Sequence, residues 1–98
     1  MGVIYDHIGQ SASFEQLAEE ATELAHAALK CARISRGENP TPVKDWEAWN
    51  HLIEEFTDVV QCARELHLYP NERQIIEKTE RFMQRWENSD KAKGAYLE

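Results

Sequence analysis

The stretch "SFEQLAEEATELAHAALKCARIS", Ser13 to Ser35, decides the fold. Phe14, Leu17, Ala21, Leu24, Ala28 and Ala32 recur at spacings of three and four, the period of a helix with one apolar face. Ser13, with Gln16 three residues on, has the form of a capping box and predicts the helix start, and Gly37 predicts its end. "GENPTP", Gly37 to Pro42, reads as a loop. A second helix, predicted to start between Thr41 and Asp45, keeps the period through Trp49, Leu52, Phe56, Val59, Ala63 and Leu66. "LYPN", Leu68 to Asn71, interrupts it. Asn71 with Gln74 gives a second capping-box signal, followed by Ile75, Ile76, Thr79, Phe82, Met83 and Trp86 at helical spacing. No strand of convincing alternation is present. The expectation is all-α: an antiparallel helical bundle with three main helices of about 24, 23 and 17 residues. An N-terminal arm, 1–12, precedes them, and a mobile tail, 88–98, follows the end of the apolar pattern.

Ninety-eight residues suggest a single domain with a modest core of its own, so oligomerisation is expected to complete it, as a homodimer or homotetramer. A formal charge of −7 argues against a nucleic acid polymer or an anionic membrane as partner. Cys31 and Cys62 are far apart and form no metal or redox motif; they read as small buried residues. With no leader-like start and no long apolar run, the expected location is cytoplasmic.

The acids are patterned. "EEATE", Glu19 to Glu23, returns as "EEFTD", Glu54 to Asp58. On a wheel of about 100° per residue, Glu20 and Glu23 lie on one shoulder of the first apolar stripe, and Glu55 and Asp58 take the same places on the second. Glu19 and Glu54 point further out. If the two helices are neighbours, Glu20, Glu23, Glu55 and Asp58 converge. Two readings fit: ordinary acidic flanks facing water, or a cage for Mg²⁺ or Mn²⁺. Those hard ions prefer oxygen ligands and would relieve the repulsion of clustered anions.

At these residues the chain resembles the MazG-like all-α nucleotide pyrophosphohydrolases, the superfamily that includes dimeric dUTPases and dCTP pyrophosphatases. The family signature, E-E-x-x-E followed by E-x-x-D on the next helix, is matched by Glu19-Glu20-Ala21-Thr22-Glu23 and Glu55-Phe56-Thr57-Asp58. The text around it, "LAEEATELAHAALKCARISRGENPTPV" and "EAWNHLIEEFTDVV", is similar to the short, phage-type members, and the resemblance covers residues 14 to 85. The gap of 31 residues between Glu23 and Glu55 is slightly longer than the commonest family spacing, with the excess in the loop region. The resemblance implies hydrolysis of a nucleoside triphosphate between the α and β phosphates. It implies Glu20, Glu23, Glu55 and Asp58 as Mg²⁺ ligands; a carboxylate not fully used as a ligand, Glu19 or Glu23, is then the expected acceptor of the attacking water's proton.

A triphosphate also needs cations. Lys78, Arg81 and Arg85 share one flank of the third helix and are the expected phosphate contacts; the plainer reading is a solvated basic stripe. Lys91 and Lys93 in the tail invite the same two readings. Gln16 and His51 stand one turn before the acid pairs and are candidates for contact with the nucleoside. Trp46 and Trp49 either stack on a base or belong to a core or interface, and Asn39 either touches substrate or caps. Glu23 with His26 spells E-x-x-H, but a di-iron bundle needs two such elements, and His26 points away from the stripe. A non-catalytic helical interaction protein is the alternative to the enzyme.

Overall fold

The computed structural model describes the backbone of residues 1–38 and 43–97 and the side chains of 1–38 and 43–89. The described residues form four helices and no strands: α1 (Val3–Ile8), α2 (Gln10–Ser35), α3 (Asp45–Glu65) and α4 (Glu72–Leu97). The chain is therefore all-α, with three long helices of 26, 21 and 26 residues and a short one inside the expected arm. No helix among the described residues is long and apolar enough to cross a membrane.

The start of α2 corrects the expected capping box. Gly9, with φ 87°, closes α1 by donating to the Tyr5 carbonyl and opens α2 by accepting from the Ser13 backbone N–H. A left-handed turn of this kind suits glycine, which has no Cβ to clash. Ser13 is thus already inside the helix. Its hydroxyl bonds back to the Gly9 carbonyl at 2.7 Å rather than capping forward, a local alternative open to serine. At α4 the signal holds: Asn71 Oδ1 accepts the Gln74 backbone N–H at 3.0 Å.

α2 and α3 pack along each other, with α1 laid against both. Cys31, late in α2, donates to the carbonyl of Ala48, early in α3, while Glu20 and Glu23 meet Glu55, so the pair is antiparallel. The contact line is made of small residues: Ser13 and Ala27 are buried on α2, and Ala48 and Cys62 on α3, with Leu66 closing the end. Small side chains let two helices approach closely. α1 is tied to the end of α3. The Gly2 N–H donates to the Glu65 carbonyl, and the Ile4 N–H donates to Glu65 Oε1 at 2.9 Å, so a side chain from another helix caps α1. A Cβ at residue 2 would collide with that carboxylate, which explains the glycine.

α4 departs from the expected bundle. Among the described residues it packs against no other helix, and every described side chain along it is exposed, including Ile75, Ile76, Phe82, Met83 and Trp86. Nor does it stop where the apolar pattern stops at Asn88, but continues to Leu97, so the segment 88–97 of the expected tail has a helical backbone. Helix propagation needs no apolar face once a turn is nucleated.

Leu66 is 5% exposed and is the largest apolar side chain in this small core. Leu66→Ala is expected to destabilise the chain by about 2–4 kcal/mol, read as a lower midpoint in urea denaturation with an unchanged slope.

Candidate metal centre

The carboxylates come together through the helix pairing. One oxygen each from Glu20, Glu23 and Glu55 lies within 4.8 Å of the others. Glu20 and Glu55 are deeper than a shoulder position. Each falls on the row of residues along which α2 and α3 touch, and the Glu55 side chain is only 13% exposed. Glu20 Oε2 and Glu55 Oε2 are buried without a hydrogen-bond partner. Carboxylate oxygens in that condition carry a desolvation cost that no hydrogen bond among the described residues offsets.

The titration of both groups reflects this. Burial pushes the Glu20 carboxyl above its ordinary value, and the charges of Glu23, Asp58 and Glu55 and a hydrogen bond with Glu23 add to it. Burial also raises Glu55, followed by hydrogen bonding with Glu23 and the charges of Glu23 and Asp58; His51, whose Nε2 is 3.6 Å from Glu55 Oε1, works the other way. Cys62 on the same line is raised by its own burial and then by Glu20, Asp58 and Glu65. A thiol held protonated among anions is a poor nucleophile.

Of the expected ligands, three converge and Asp58 does not join them, although its charge is felt by both buried glutamates. Asp58 is exposed one turn along α3. Glu19, the other candidate base, is exposed and outside the cluster, whereas Glu23 is exposed but within it. His51 sits between Glu54 and Glu55, and Gln16 is exposed one turn before Glu20. His26 is exposed and stands apart from the cluster. Lys78, Arg81 and Arg85 ride on α4, so within one chain they do not reach the carboxylates. Trp46 and Trp49 are exposed rather than core, and with Cys31 and Ile34 they line an open groove of ≈ 390 Å³ beside the cluster-bearing pair. Asn39 lies outside the described residues, as do the side chains of Lys91 and Lys93.

One member of the neighbourhood went unmarked in the sequence. Glu65 presents a third buried, partnerless oxygen, Oε2, at the end of α3. Its spacing of seven from Asp58, two helical turns on the same side, was the available signal.

The donor set is all oxygen. That suits Mg²⁺ or Mn²⁺ rather than a softer ion, and an ion at this point would offset the charge of carboxyl groups that each carry an orphaned oxygen, Glu20 and Glu55. Comparison with models of protein families, with characterised proteins and with solved structures returns no match.

Because Glu20 and Glu55 hold protons more tightly folded than unfolded, the folded state binds more protons between the ordinary value of 4.5 and the raised ones. The metal-free protein therefore loses stability as pH rises through that window, then levels off. A divalent cation acts oppositely, since it needs the deprotonated groups. Melting with Mg²⁺ or EDTA at about pH 4.5 and about pH 7.5 should show stabilisation only at the higher pH, by about 2.7 kcal/mol once the ion reaches about 100 times its Kd.

Proposed function

We propose that the chain is a MazG-like, Mg²⁺-dependent nucleoside triphosphate pyrophosphohydrolase, with Mn²⁺ as a possible substitute, working as a homodimer or homotetramer. The observation that carries the reading is the meeting of Glu20, Glu23 and Glu55 at the α2–α3 contact, two of them with buried oxygens that lack partners. Clustered anions that only faced water would not need to sit on a packing line, where their repulsion is least screened. The duplicated acidic phrase and its resemblance to the family signature support the same assignment.

In this reading Glu20, Glu23 and Glu55 hold the ion, and Asp58 joins them from the next turn of α3. When bound, the ion offsets phosphate charge and polarises the α-phosphorus. Glu23 is the carboxylate best placed to accept a proton from the attacking water, being both exposed and in the cluster. Glu19, outside the cluster, is the second choice. The new bond forms between the water oxygen and the α-phosphorus, the bond to the α–β bridging oxygen breaks, and pyrophosphate leaves with its electron pair. Gln16 and His51 stand on the side from which a nucleoside would approach. Lys78, Arg81 and Arg85 are the phosphate-binding candidates, and since α4 keeps them away from the cluster in one chain, they act there only if an assembly brings them in.

A panel of NTPs and dNTPs with Mg²⁺, assayed for pyrophosphate, tests the proposal. Release of pyrophosphate and nucleoside monophosphate is expected from at least one substrate. Glu20→Gln and Glu55→Gln, which keep size and remove charge, should each lower the rate by at least about 100-fold while leaving the fold intact. No pyrophosphate from any nucleotide, together with no effect of Mg²⁺ on melting, would leave the non-catalytic helical interaction protein as the better description.

A further inference from the structure

The chain leaves two apolar surfaces without partners. One is the α4 stripe of Ile75, Phe82, Met83 and Trp86, with Phe82 60% and Trp86 54% exposed. The other is the exposed apolar surface of α3, where Trp46 and Trp49, at the rim of the groove shared with α2, continue into Ile53 and Phe56. An apolar arc wider than one neighbour can cover predicts a second neighbour. We infer that α4 of one chain docks on the outer face of α3 in a second copy, and the reverse, giving a dimer in which α4 is exchanged. The inference rests on the self-association part of the proposed function and not on its chemistry.

The area favours a second copy as occupant. The chain exposes 8091 Å², against about 5,800 Å² for a compact monomer of this size. The surplus of about 2,300 Å² per chain, about 4,600 Å² for two, lies within the range of obligate homodimer interfaces. The radius of gyration agrees: 18.9 Å, where a compact chain of this length has about 13 Å.

The two surfaces also match. From Ile75 to Trp86 and from Trp46 to Phe56 each stripe is about 15–17 Å long at the helical rise. α2 and α3 together carry ten acids and three bases, whereas α4 carries five acids and six bases, so α4 is the element of this chain that a strongly acidic pair would attract. Every chain has one such helix and one such face, so reciprocal docking closes a two-fold dimer with neither left over.

Docking of α4 on its own α3 is opposed by the connection. Leu68 N–H bonds to the Ala63 carbonyl at 2.8 Å and His67 takes a left-handed φ of 55°, which fixes the exit from α3. Pro70 then restricts the chain, and Asn71 caps α4 at once. Few free torsions remain to fold α4 back.

The test uses the full chain. Light scattering on a sizing column should give twice the chain mass. A refolded mixture of isotope-labelled and unlabelled protein should show interchain contacts between Phe82 or Trp86 and Ile53 or Phe56. Phe82→Asp and Ile53→Asp should each weaken association by at least 100-fold, while the amide spectrum of α2 stays native. α4 supports nothing in its own chain, so Phe82→Asp leaves the pair folded. An oligomer that Phe82→Asp does not weaken, with no interchain α4 contacts, overturns the exchange but spares self-association. α4 contacts found only within a chain overturn the exchange alone, and a single-chain mass overturns both.

Discussion

The structure turns on one unfavourable arrangement: glutamates placed on the line where two helices touch. Glu20 and Glu55 occupy interface rows that the helical period otherwise gives to Ala27, Ala48 and Cys62. Small neighbours draw the helices close, and closeness deprives the carboxylates of water. Closeness also brings Glu23 within reach of both, so that its charge adds to the raised proton affinity of Glu20 and Glu55. Pairing and charge are thus in opposition in the isolated chain. An apolar residue at either position would pack better and cost nothing electrostatically. The sequence spends stability here, and the cation proposed above would recover it.

The same geometry explains which parts of the fold could be read beforehand. Periods of three and four identified α2, α3 and α4, and the Asn71 cap was legible because asparagine bonds forward to a backbone N–H three residues on. The Ser13 cap was misread because serine has two local options. The choice was made by Gly9, whose left-handed turn lets one helix end and the next begin at a single residue. α1 was invisible for a related reason: its cap comes from Glu65, more than sixty positions away, which no local pattern reports. The extension of α4 past Asn88 was missed because apolar periodicity marks the buried part of a helix, and α4 is not buried in its own chain.

For the site, periodicity placed Glu20 and Glu55 on the correct side of their helices but too far out. A wheel gives an angle and not a neighbour: the apolar stripe is two surfaces. One part faces α2 or α3, and another, bearing Trp49, Ile53 and Phe56, faces outward. The arithmetic centre of the whole stripe lies between them. Measured from that centre the glutamates look peripheral; measured from the surface that touches α2 they are central. Asp58 diverges by the same reasoning. It shares the shoulder of Glu55 but stands one turn along, and it is exposed where Glu55 is half-buried.

That division of the stripe joins the two halves of the molecule's behaviour. A helix with a single apolar face could pair with α2 and finish, leaving its acids as ordinary flanks. α3 has more apolar surface than α2 covers, and α4 has a stripe that nothing among the described residues covers. Burying the outer face in an assembly would lower the dielectric around the α2–α3 contact further and sharpen the need for a cation between Glu20, Glu23 and Glu55. It would also bring helices with a surplus of bases against a pair with a surplus of acids. Assembly and ion binding would then be linked: each makes the other more favourable, because both act on the same crowded carboxylates.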